Sequence, residues 1–172
     1  MNKSSPLKSV NIWAGILGDY VVSPYIFPDR LTGATYRIFL EQGLSSLLQA
    51  VPLPIQRAMW FRHDGTPAHI SSTVRRFLIA TYPSRWIGRG GPVAWYPRSP
   101  ELNPLDFFFW VRMKSLVYEA SVDSTEDLVA RIAVDADKIN TTPGIFERVR
   151  QSFLRRCELC NDTRGRQFQH LL

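Results

Sequence analysis

Cysteine, lysine and long apolar runs are all scarce in this chain of 172 residues. Its two cysteines, Cys157 and Cys160, are too few to staple a small domain, which excludes a disulfide scaffold and points to a reducing, intracellular setting. No apolar run approaches the ~18 residues that a membrane span needs, and the polar start MNKSSPLKS has no signal-peptide core, so no membrane partner is expected. Repeats and low-complexity tracts are missing too. What is present is ordinary globular material: 45% hydrophobic and 21% charged residues, enough for a real core and too apolar for a disordered tail. The length suits one domain at roughly 100–200 residues each, expected over residues 9–172 behind a polar tail at 1–8.

The scarcity of lysine makes the basic charge almost wholly arginine, 17 against 4. The net +6 is also uneven: residues 1–56 carry +1, residues 57–98 carry +6 and residues 99–172 carry −1. The middle segment holds seven arginines and one acid, Asp64. Such a segment suggests a polyanionic partner, since the planar guanidinium fork suits phosphate; a solvated basic face is the plainer alternative.

Periodicity reads as an α/β pattern. Ser9 to Leu17 and Tyr20 to Phe27 alternate as a hairpin around the turn Gly18-Asp19, with Pro24 marking an edge or bulge. Helical spacing from Thr32 to Ala50 ends at Val51-Pro52. Ala58 to His63 reads as a short strand, Ser71 to Tyr82 as a helix, and Ile87 to Pro92 as a glycine-rich loop before a strand at Val93 to Tyr96. Asn103 looks like an N-cap with Pro104 at the first helical position, opening a helix to about Tyr118. Further helices are expected from Ser124 to Asn140, capped at Asp123 or Ser124, and from Pro143 to about Cys160.

Two acids stand out chemically. In WFRHDGTPAH, Asp64 falls where a buried strand ends; in RSPELNPLDF, Asp106 falls in the first turn of a helix. Carboxylates held on rigid elements can share a pair of Mg²⁺ ions about 4 Å apart and clamp a phosphodiester, with arginines holding the backbone. Asp-Gly is equally a common turn dipeptide, and an acid at a helix start is favoured by the helix dipole alone.

The strings WFRHDGTPAHIS, RWIGRGGPVAWYPRSPELNPLDFFFW and SVNIWAGIL resemble the catalytic domain of mariner-type (Tc/mariner superfamily) transposases, the DDE endonucleases, over about residues 9–172. Both acid motifs are present in order, with 41 residues between Asp64 and Asp106, a gap somewhat wider than in the best-known members. The resemblance implies a ribonuclease-H-like α/β fold: a mixed sheet flanked by helices, with extra C-terminal helices. It implies a DNA partner, transposon ends in the family, a homodimer, and a nuclear location. It also implies Mg²⁺ or Mn²⁺ held by three acids, with Asp64 matching the second and Asp106 the third. Arg62, His69, Arg75, Arg76, Arg85, Arg89 and Arg98 are the candidate DNA contacts, with orienting the site, helix packing or a cap as the alternatives for His69.

The family's first acid lies on a central strand upstream of the segment matching SVNIWAGIL, whereas only MNKSSPLK precedes Ser9 here and it holds no acid. Asp19 and Asp29 fall in turns instead. The expectation is therefore a truncated transposase domain lacking its first strand and its helix-turn-helix region, with metal binding weakened and cleavage impaired. The alternatives are a catalytically dead nucleic-acid-binding or protein-interaction module, and a gene fragment that does not fold stably. Cys157-Glu158-Leu159-Cys160 has the spacing of half a zinc site without a second half, and free thiols are the better reading.

Overall fold

The computed structural model describes residues 10–27, 30–95 and 100–172. They gather into two compact units, one from residues 10, 14–24 and 100–172, the other from 11–13, 25–27 and 30–95. No helix among the described residues is long and apolar enough to cross a membrane.

The chain opens with strand β1 (Asn11–Leu17) paired to β2 (Tyr20–Phe27), turning at Gly18, whose φ of +60° suits a residue without Cβ. Helical backbone then runs from Gly33 to Ala50. It comprises α1 (Gly33–Ile38), a wider π turn (Phe39–Gly43), α2 (Leu44–Leu47) and a 3₁₀ turn (Leu48–Ala50). Thr32 caps its start, accepting from the Thr35 amide while the Thr35 hydroxyl accepts from that of Thr32. The expected strand from Ala58 begins later than its sequence suggests. Pro52 and Pro54 start a short helix, α3 (Leu53–Ala58), and strand β3 is only Phe61–Arg62.

Helix α4 (Ser72–Thr81) buries Val74 and Leu78 and leads to β4 (Trp86–Ile87), which pairs in parallel with β3. Ile87, expected to open a glycine-rich loop, is thus a strand residue. The strand expected at Val93 to Tyr96 is a single bridge between Ile87 and Val93, and Tyr96 lies outside the described residues. The core of this unit is aromatic. Tyr36, Phe39 and Trp86 are all but fully buried, and Trp13, Tyr25 and Phe27 meet Phe39 at 4.7–5.5 Å between ring centroids.

In the other unit, a 3₁₀ turn (Pro100–Leu102) and a π turn (Leu105–Phe109) lead into α5 (Trp110–Val117), followed by α6 (Thr125–Thr141) and α7 (Ile145–Asp162). Ser124, rather than Asp123, caps α6 through the Asp127 amide. Phe109, Met113, Ile132, Ala136 and Ile139 form its apolar core. The hairpin turn is fixed to these helices: Asp19 pairs with Arg150, and the Val21 amide donates to Asn140 Oδ1 at 2.9 Å.

The single mixed sheet expected from the resemblance is not what the described residues form. Their strands make two separate pairs, β1–β2 and β3–β4, because no described strand offers an edge to both.

Candidate functional site

Asp64 follows β3 directly, and the pairing reaches up to it, since the His63 amide donates to the Ile87 carbonyl at 3.2 Å. The carboxylate closes an Asx-turn: Oδ1 accepts from the Thr66 amide at 3.0 Å. The turn that continues through Thr66 to Ile70 brings His69 back, with its amide donating to the Thr66 carbonyl at 2.8 Å. His69 Nδ1 then lies 2.6 Å from the same Oδ1. A carboxylate accepts, so the imidazole carries its proton on Nδ1 and donates it. Partial burial opposes ionisation of Asp64, but the hydrogen bonds from His69 and from the Thr66 amide and hydroxyl outweigh it and hold the carboxyl well below the usual range. The side chain is nonetheless 50% exposed, open to a ligand on its outer side.

Beneath Asp64 lies a cluster of rings. His69 sits 4.1 Å from the Tyr36 ring centroid and 5.4 Å from that of His63, to which it is nearly parallel. His63 is 6% exposed, meets Trp86 edge-on, and has no hydrogen-bond partner for either ring nitrogen among the described residues. Burial, reinforced by the neighbouring His69, pushes its pKa down to about 4. The glycine-rich loop is a packing device here. A Cβ on Gly88 would stand 2.6 Å from the His63 ring, and one on Gly91 2.8 Å from the Trp86 indole, so only glycines let the loop close over both.

The arginines divide. The Arg62 guanidinium lies 4.3 Å from the Trp95 ring centroid. Arg85 donates to the Arg57 carbonyl at 2.5 Å, a bond to the end of α3. Arg75 and Arg76 are exposed on α4, and the Arg75 guanidinium comes within 3.0 Å of where Gly90 would carry a Cβ. Arg89 is exposed in the loop, and Arg98 lies outside the described residues. The structure thus brings Asp64, His69 and His63 together, with Arg75 against the glycine loop.

Asp106 belongs to the other unit, in the π turn at the start of α5. The Asn103 side chain donates to its Oδ2 at 2.7 Å, and the Asp106 amide donates to the Asn103 carbonyl at 2.9 Å. Two aromatic neighbours anchor this turn. Phe109 is fully buried, and Phe107 lies under the Arg156 guanidinium at 4.2 Å from the ring centroid. Cys157 and Cys160 lie on α7 without a disulfide, and no group of three His, Cys, Asp or Glu side chains placed to hold a metal occurs among the described residues.

Sequence reasoning missed two participants. Thr66 was legible, since Asp-x-Thr is an Asx-turn pattern, whereas Tyr36, 33 residues before His69, left no local signal.

No family model matches the chain, and no curated protein matches it in sequence. Solved structures match in fold. A structure of the Mos1 transposase catalytic domain and Raltegravir with Mn superposes with a TM-score of 0.71 at 19% identity, covering 93% of this chain and 83% of that one. The crystal structure of the catalytic domain of Mos1 mariner transposase gives 0.68 at 18% identity, covering 93% and 82%. The Mos1 mariner paired end complex with Mn gives 0.69 at 22% identity, covering 88% of this chain and 43% of that one. The chain therefore has the α/β fold of that catalytic domain, the same domain that its motifs resemble.

Proposed function

We propose that this chain is a DNA-binding domain derived from a mariner-type transposase, in which Asp64 and Asp106 are each a ligand for divalent metal. The observation that carries the reading is Asp64 itself. It is an acid at a strand end, kept ionised by His69 and Thr66, within HDGTPAH and on a domain of this fold. The donor chemistry fits the group: ionised carboxylates on fixed elements are hard oxygen ligands, suited to Mg²⁺ or Mn²⁺. Such a metal, when bound, polarises a phosphoryl oxygen and activates water.

The chain's own residues hold and orient. β3 and the Asx-turn fix Asp64, while Asn103 and the anchored π turn fix Asp106. Arg75, Arg76 and Arg89 offer exposed guanidinium groups for backbone phosphates, a sequence-independent grip. The ancestral activity is metal-dependent strand cleavage and transfer. Under this reading the chain works in the nucleus as a homodimer, with impaired cleavage.

One observation favours a second reading, nucleic-acid binding without cleavage. The two strand pairs stay unjoined, and no acid among the described residues stands on a strand between them. Nicking of supercoiled plasmid with Mn²⁺, run beside DNA-binding titrations over a range of salt, separates the two. Metal-dependent nicking that disappears in Asp64→Ala and Asp106→Ala supports the first reading. Salt-dependent binding with no nicking selects the second, and no binding at all sinks both.

A further inference from the structure

We infer that His69 is a positioning residue for Asp64, holding the carboxylate in one orientation through its Nδ1 while Tyr36 and His63 hold the imidazole. The inference rests on the reading of Asp64 as a metal ligand and goes beyond it, because it moves His69 from the DNA surface into the support of the site.

An exposed histidine beside an aspartate would make an ordinary, loosely held ion pair. His69 is different in three respects. Its side chain is only 14% exposed, so its ring cannot sweep through solvent. The rings that touch it are themselves immobile, Tyr36 being fully buried and His63 6% exposed. The loop over His63 is closed by Gly88, whose missing side chain leaves no slack for the ring to tilt. Its Nδ1 meets the Asp64 carboxylate at 2.6 Å. Both His69 and the Thr66 amide meet Oδ1, and the Asp64 side chain remains 50% exposed. Metal ligands supported in this way owe part of their affinity to the supporting group, typically a factor of about 10–100. His63 has no polar partner of its own among the described residues, and its contribution is the flat surface against which His69 rests.

Two measurements on the full chain test this. In the first, nitrogen-15 NMR of the metal-free protein reads the His69 tautomer. A proton on Nδ1 that loses its preference in Asp64→Asn is expected; a ring protonated on Nε2 overturns the inference whatever the metal does. In the second, Mn²⁺ affinity is read by electron paramagnetic resonance for His69→Ala, His69→Asn and His69→Gln, with thermal melts to confirm folding. Asparagine places an amide N–H close to the position of Nδ1, and glutamine places it beyond. About 10-fold weaker binding in the alanine and glutamine variants, with asparagine restored to within about 3-fold, is the expected pattern. Equal affinity in all four proteins overturns the inference. A wild-type chain that binds no Mn²⁺ removes the metal reading, and the tautomer measurement then decides the role of His69 by itself.

Discussion

A leucine in place of His63 tests how the core beneath Asp64 responds to acid. The buried imidazole is neutral in the folded chain, with burial the main cause, the neighbouring His69 adding to it and Asp64 opposing. Its pKa is about 4 folded against an ordinary 6.5 unfolded, so between these values the unfolded chain binds the proton and the folded chain does not. Stability is therefore complete above about pH 6.5 and is lost as the pH falls toward 4. At 1.36 kcal/mol per pH unit, the loss relative to pH 7 is about 2 kcal/mol at pH 5 and about 3 kcal/mol at pH 4. Asp64, also depressed, works in the same direction but only as the pH falls through and below the usual carboxylate range. Its contribution thus lies below the window in which His63 acts. Urea melts followed by tryptophan fluorescence at pH 7, 6 and 5 should show this decline in the wild-type chain. His63→Leu should lack the His63 part of it. The variant should also be no less stable at pH 5 than the wild type, because leucine leaves no unpartnered nitrogen buried. Wild-type stability that stays flat from pH 7 to pH 5, or a leucine variant with an unchanged decline, would refute the reasoning.

Gly88→Ala should destabilise by about 1–3 kcal/mol in the same melts, since its methyl would meet His63 and Trp86, neither of which can retreat. Arg156→Ala should cost about 1 kcal/mol through loss of its packing on Phe107, and Arg156→Lys should recover only part of it because an ammonium does not stack. Arg76→Ala should weaken binding to unrelated DNA sequences alike and lower the slope of log affinity against log salt by about 1; an unchanged slope would remove Arg76 from the phosphate contacts.

The helices were largely legible because their signals are local. Thr32 and Ser124 cap where hydroxyl side chains precede apolar periodicity, and Leu128, Ile132, Ala136 and Ile139 mark the inner face of α6. The strands were less so. Phe61–Arg62 and Trp86–Ile87 are too short to show alternation, and each becomes a strand only by pairing with the other across 24 residues. Val51-Pro52 was read as a stop, and Pro52 also caps the start of α3. Among site residues, Asp64 and Asp106 stood out through their motifs, and the Asx-turn was implicit in Asp64-Gly65-Thr66. Neither the pairing of His69 with Asp64 nor the burial of His63 could be read, since both depend on Tyr36 and Gly88, which the fold alone brings close.

The basic middle segment takes on a sharper meaning once its partners are known. In the C-terminal helices two arginines are matched by carboxylates within the chain: Arg131 pairs with Asp127, and Arg150 with Glu147 and Asp19. Exposed pairs of this kind add little to stability, but they neutralise their own charge. From 57 to 98 the sequence holds seven arginines and a single acid. The one acid there, Asp64, is taken by His69, and Arg57, Arg75, Arg76, Arg85 and Arg89 pair with no carboxylate among the described residues. Arg85 is spent on a backbone carbonyl, and Arg75 lies against the glycine loop beside the core that supports Asp64. Uncompensated guanidinium groups that lie close together repel one another at low salt unless an external anion draws them together. A polyanion that brings phosphates to this segment would relieve that repulsion, and a divalent cation at Asp64 would prefer a ligand that also supplies phosphate oxygens. Under the proposed function the two requirements meet in a phosphodiester backbone, and the arginine excess and the lone acid share one stretch of the chain for that reason.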